Sequence, residues 1–124
     1  MRVRMFKPQF APLVLNGSKR QTIRPMPVSL PKVGSIESWR QWSGLPYRSK
    51  QRELAKVRIT AVEKIMITEE GICVGNELPR VLKMTEEWEM AKADGFNTLK
   101  DFVEWFNFTH GLPFTGILIK AEDI

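Results

Sequence analysis

The stretch "GSKRQTIRP", residues 17–25, sets a lysine, a threonine and an arginine at positions 19, 22 and 24 behind a turn glycine. On an extended backbone Thr22 and Arg24 share one face and Ile23 takes the other, with Lys19 in the turn just before them. A lysine beside Arg24 is disfavoured from carrying its proton, and partial burial lowers its pKa further. Such a lysine next to a threonine hydroxyl is a workable base–nucleophile pair, provided an acid orients the lysine. The same residue types also suit a phosphate-binding turn, or a solvated charged turn with no ligand. The stretch alone leaves all three open.

A second cluster, "WRQWSGLPYRSKQ" at 39–51, interleaves Trp39, Trp42 and Tyr47 with Arg40, Arg48 and Lys50. Single-stranded nucleic acid is bound by this mixture, cations for phosphates and flat rings for bases. Arg24, Arg48 and Lys50 are therefore the expected phosphate contacts, and Trp42 and Tyr47 the expected stacking surfaces. The two tryptophans cannot face the same side of a regular strand, so one of them is expected in the core.

Other chemistries lack their residues. His110 is the only histidine and Cys73 the only cysteine, and no DxDxDG-like loop occurs, so no metal site is expected. His110, in "FTHGLP" at a helix C-terminus, reads first as a partner of the helix dipole. Cys73, between Ile72 and Val74, reads as a buried structural thiol, and a single cysteine suits a reducing, cytoplasmic setting. Neither GxGxxG nor GxxxxGK[ST] is present, so no cofactor is expected. No apolar run approaches a membrane span, and the charged N-terminus lacks the apolar core of a signal peptide.

The net charge of +5 is unevenly spread. Residues 1–58 hold 13 Lys and Arg against Glu37 and Glu53, a net of +11, whereas residues 59–124 carry a net of −6. That asymmetry favours a basic face toward a polyanion such as RNA.

The elements that must position these residues follow from periodicity. The 124 residues fit one domain. "VRMF" (3–6) alternates as a strand, Phe10, Leu13 and Val14 share a helical face ended by Gly17, and "RQTIRP" is a short strand. A proline-rich loop precedes the strand "SIESWRQW" (35–42). The longest strand, 55–68, places Val57, Ile59, Ala61, Ile65 and Ile67 on one parity, with a bulge expected near Ala61–Glu63. Helices follow at 85–95, with Thr85 as N-cap, and at 98–111, with Thr98 as N-cap and Leu99, Phe102, Val103 and Phe106 on one face. A final strand covers 114–122. The order argues an α+β fold: a mixed or antiparallel sheet closing as a barrel, with two to three helices outside it.

The ordered motifs resemble those of the ASCH family, small domains related to the PUA fold. "PLVLNGSKRQTIR" is similar to the family's helix followed by G-x-K-x-x-T-x-R, and "PKVGSIESW" to its K-x-G-D-x-L strand. "WSGLPYRSKQ" resembles a loop of a subset of phage and bacterial members. "ADGFNTLKDFVEWF" resembles its acid-Gly-Phe turn into a helix, and "LPFTGILIKAE" its closing strand. The resemblance implies a PUA-like β-barrel and RNA or nucleoside binding in a basic cleft at the barrel mouth. It also implies a second activity: some small members are amidohydrolases that deacylate N4-acetylcytidine with a Lys, a Thr and an acid, and others are linked to RNA cleavage. By motif position Lys19 and Thr22 match the first two. Asp94 is the best match for the acid, with Glu87 and Glu89 as alternatives.

Overall fold

The long alternation of apolar residues becomes the spine of the molecule. In the computed structural model, which describes all 124 residues, strand β4 spans Gln51–Thr68. Around it stand β1 (Arg2–Met5), β2 (Gln21–Pro25), β3 (Ile36–Trp42), β5 (Gly71–Val74), β6 (Arg80–Val81) and β7 (Phe114–Asp123). Three helices complete the α+β fold: α1 (Ala11–Leu15), α2 (Met84–Ala93) and α3 (Leu99–His110). None is long and apolar enough to cross a membrane.

The seven strands form one mixed sheet. β1 lies parallel to β3, and every other pairing is antiparallel. One edge of β4 carries β3 and then β5, the other carries β7, and β7 in turn carries β2. The ladder against β7 slips between Ile59 and Ala61, which places the bulge at Thr60, just before the stretch where the sequence puts it. With the register reset there, one strand serves three apolar clusters. Val57 joins Phe6, Phe10, Val14 and Trp39, Ile59 joins Ile117 and Ile119, and Ile65 and Ile67 join Phe102, Phe106 and Leu118.

The sheet does not close into a barrel. β1 and β2 are edge strands with no ladder between them. Their gap is narrow enough for one side chain to span: Arg24 on β2 donates from its guanidinium to the carbonyl of Met5 on β1, at 2.8 Å. Side chains fill the opening where a ladder would otherwise run. Arg24 lies over the Phe6 ring at 4.8 Å, and Lys19 Nζ stands 5.9 Å from the same ring.

Two end signals behave differently. Thr98 caps α3 by accepting from the Asp101 N–H at 3.0 Å. Thr85, by contrast, lies inside α2, whose N-cap is Lys83; the Glu86 carboxylate reaches back to the Lys83 N–H at 3.0 Å and closes that end. Cys73 is half-buried rather than buried, because β5 turns Ile72 and Val74 inward and leaves the cysteine on the outer face. Gly116 explains how β7 lies so close to β2: a Cβ there would collide with the Arg24 carbonyl oxygen.

Candidate functional site

Lys19 sits one turn ahead of β2, held by its own N–H on the Leu13 carbonyl at 3.0 Å. Because it precedes the strand, strand parity does not aim it, and its side chain turns inward until it is 2% exposed. There it meets the C-terminus of α2. Lys19 Nζ donates to the Asp94 carbonyl oxygen at 2.5 Å and lies 3.3 Å from Asp94 Oδ1. The ammonium is also 4.9 Å from the centre of the Phe10 ring.

Asp94 is placed by the end of its helix. It is the C-cap of α2, with its N–H on the Met90 carbonyl at 2.9 Å, and Gly95 then turns the chain at φ 104°. That glycine is required twice over. L side chains rarely adopt its φ, and a Cβ there would stand 3.1 Å from Leu13 and 3.2 Å from Phe10. Of the three acids proposed from the sequence, only Asp94 reaches Lys19. Glu87 lies toward Gly71, and Glu89 lines a separate groove beside Arg20 and Lys120.

Thr22 and Arg24 do share a face of β2. Arg24 Nε donates to Thr22 Oγ1 at 3.0 Å, which leaves the threonine proton free to donate elsewhere. Lys19, Thr22, Arg24 and Asp94 all line one cavity of about 220 Å³, walled by Phe6, Phe10 and Trp105.

Burial sets the electrostatics. It pushes the Lys19 ammonium below its usual pKa, while the Asp94 charge and hydrogen bond pull back and Arg24 adds to the depression. Burial likewise pushes the Asp94 carboxyl up, against the pull of Lys19 and Gln21. Both shifts point toward a pair that shares its proton readily. Arg24 is pushed down to about 10, first by burial and then by the neighbouring Arg4 charge. A lysine that gives up its proton easily, a threonine hydroxyl and a fixed arginine around one small cavity can move a proton and stabilise negative charge on a carbonyl substrate.

Two residues of the cavity, His110 and Lys7, and Gln21 behind Asp94 carry more than the sequence suggests. Gln21 donates its amide to both Asp94 Oδ1, at 3.3 Å, and the Met90 carbonyl, at 3.2 Å, and so ties the acid to its helix. His110 does end α3, but it also lines the cavity, its ring centre 4.9 Å from that of Phe114 in a tilted contact and 5.8 Å from that of Trp105 edge-on. Its pKa is lowered by burial and by Lys7, so at neutral pH it is a poor cationic partner for the helix dipole. Lys7 lies over the Trp105 ring at 5.1 Å, along the same wall. Lys7 and His110 stand out in the sequence only as polar residues among aromatic ones, and Gln21 carries no signal of its own within the polar stretch 17–25.

The second cluster does not join this site. Trp39 is the core tryptophan, fully buried against Phe6. Trp42, Tyr47, Arg48 and Lys50 sit at the end of β3 and in its connection to β4, and none of them lines the cavity. Because β3 runs parallel to β1 and continues past Arg40, the connection projects beyond the end of the sheet where Met5 and Phe6 line the cavity. Trp42 and Tyr47 pair with each other at 5.1 Å, and Tyr47 is 89% exposed. The single cleft expected from the sequence is thus two separate features.

Compared with protein-family models, with curated proteins and with solved structures, the chain matches none.

Proposed function

We propose that the chain is an ASCH-type amidohydrolase acting on a small N-acylated pyrimidine nucleoside such as N4-acetylcytidine. One observation carries the reading: Lys19, Thr22 and Asp94, chosen by motif position, converge on a single cavity. At about 220 Å³ that cavity is smaller than the roughly 300–1,000 Å³ typical of drug-sized ligands. It suits a base and its acyl group far better than a polynucleotide. On this reading the curled sheet, with β1 and β2 facing each other across Arg24, is a PUA-like barrel left open at its site.

The reaction is amide hydrolysis. A water oxygen adds to the acyl carbon, the C–N bond breaks, and the exocyclic nitrogen takes a proton. The products are cytidine and a carboxylate, with one proton released to solvent. Lys19 is the base that takes the attacking proton and passes it to the leaving nitrogen, and Asp94 holds it. Thr22 either orients the water for direct attack, or attacks first, in which case its acyl ester forms as the amine leaves and water then cleaves that ester to the carboxylate and the free hydroxyl.

Incubation of the fresh protein with N4-acetylcytidine, followed by chromatography, is expected to yield cytidine. Thr22→Val, which keeps the shape and removes the hydroxyl, is expected to slow the reaction by about 10²-fold or more. No cytidine from the wild type would overturn the reading.

RNA binding retains one specific observation, the pairing of half-buried Trp42 with exposed Tyr47 beside the exposed Arg48 and Lys50. Each ring could contribute about 1–3 kcal/mol per stacked base. Anisotropy of a short single-stranded RNA across a salt series tests it. A linear log–log fall in affinity is the expected result, and no binding at low salt removes the RNA reading.

A further inference from the structure

Arg24 is a half-buried cation with no carboxylate within ion-pair distance. The ion pairs of the fold join Arg4 to Glu37, Lys19 to Asp94, Arg20 to Asp123, Arg80 to Glu86 and Lys100 to Glu104, and none includes Arg24. Buried charges are ordinarily paired, because an isolated one costs far more than a paired one. A guanidinium has five N–H donors, and Arg24 uses two of them, one on Thr22 and one on Met5. Its Nη1 has no acceptor in the chain, yet no buried side-chain nitrogen or oxygen is left unsatisfied, so that end opens onto the cavity. The only carboxylate lining the cavity is Asp94, already engaged by Lys19 and Gln21. Lys7, on the same wall, has no carboxylate partner either.

We infer that Arg24 is the receptor for a small carboxylate, and that the acyl product of amide cleavage is held there before release. The product role rests on the hydrolase reading; the anion site itself does not. The planar fork of arginine matches the two oxygens of a carboxylate, and Lys7 adds a second positive charge at longer range. Burial and Arg4 depress the Arg24 pKa more than the Asp94 and Glu37 charges raise it, and a bound anion would push it back up. Acetate is therefore expected to bind the free protein and to inhibit competitively.

The probe is sodium acetate, titrated into the full chain with chloride adjusted to hold ionic strength constant. His110 is the only histidine and lines the cavity, so its imidazole C2–H resonance reports occupancy without ambiguity. A saturable shift with acetate, and none with the neutral isostere acetamide, is the expected outcome. Arg24→Gln is expected to weaken acetate by about tenfold or more, with Arg24→Lys between the two. Acetamide binding as well as acetate, or Arg24→Gln binding acetate like wild type, overturns the site. Inorganic phosphate binding more tightly than acetate overturns the carboxylate assignment in favour of a phosphorylated ligand. If Arg24→Gln fails to fold, the acetate–acetamide contrast on the wild type still decides. Acetate saturation without cytidine formation would remove the hydrolase reading and keep the site. Cytidine formation without acetate saturation would do the reverse.

Discussion

Lys19→Met is expected to lower stability by about 3–5 kcal/mol, which a urea titration would read as a large fall in midpoint. The side chain it removes is buried, and the partner left behind is Asp94, 3% exposed. Gln21 still donates to Oδ1, but an amide dipole does not neutralise a carboxylate in a dry site. The cost is therefore that of stranding a buried carboxyl, which must either stay charged in a dry site or take up a proton, rather than of one lost contact. Changing Asp94→Leu in the same chain is expected to recover most of the loss, because a buried ion pair replaced by well-packed apolar groups is often no less stable. Losses that simply add in the double variant would show that the two residues are energetically independent, and the paired site would have to be abandoned. Hydrolysis of N4-acetylcytidine should vanish in both variants. The recovered stability of the double variant then separates loss of chemistry from loss of fold.

Glu37→Ala is the second change with an effect near 3–5 kcal/mol. Glu37 is buried on β3 and accepts three hydrogen bonds: two from Arg4, at 2.7 and 2.8 Å, and one from the Trp39 indole at 3.0 Å. Removing it strands an arginine and an indole N–H together. The released Arg4 charge would also face Arg24, whose pKa it already depresses. Burial works to raise the Glu37 pKa, yet the Arg4 and Trp39 hydrogen bonds outweigh it and hold the group below its usual 4.5. A carboxylate depressed in the folded state contributes stability that is fully present above its unfolded pKa and is lost as pH falls through the folded value. The wild type should thus lose stability on acidification below about pH 4.5, and Glu37→Gln should show a shallower acid slope over the same range. Thermal unfolding from pH 6 to 3 measures both (about three units spans the window). Equal slopes would place the acid sensitivity elsewhere.

Local rules carried a good part of the fold. The odd-numbered apolar residues of β4, the shared face of Thr22 and Arg24, and the Thr98 cap all depend on neighbours within a few positions, and the structure realises each. Long-range geometry is where the reading fell short. Lys19 and Asp94 meet across 75 positions, so no local pattern could pick Asp94 over Glu87 or Glu89. Strand counting suggested closure, but closure depends on whether β1 and β2 come within ladder distance, and polar side chains fill that space instead. The tryptophan-rich loop failed as a partner of the cavity for a similar reason: composition shows what a segment could bind, not which wall it lines. His110 and Gln21 were visible as polar residues, but their parts depend on Trp105, Phe114 and Met90 packing around them.

The single neighbour of β2 has a consequence for how the protein is made. β2 pairs only with β7, the last of the ten elements in the sequence. While the ribosome is still producing the helices, the segment with Lys19, Thr22 and Arg24 has no strand to lie against, and its cations remain free in solvent. Translation adds roughly 5–20 residues each second, so this basic segment stays unpaired for several seconds on every newly made chain. The pocket therefore cannot form until β7 has been made, and a nascent chain stalled before Phe114 would carry the charges of the site without their architecture.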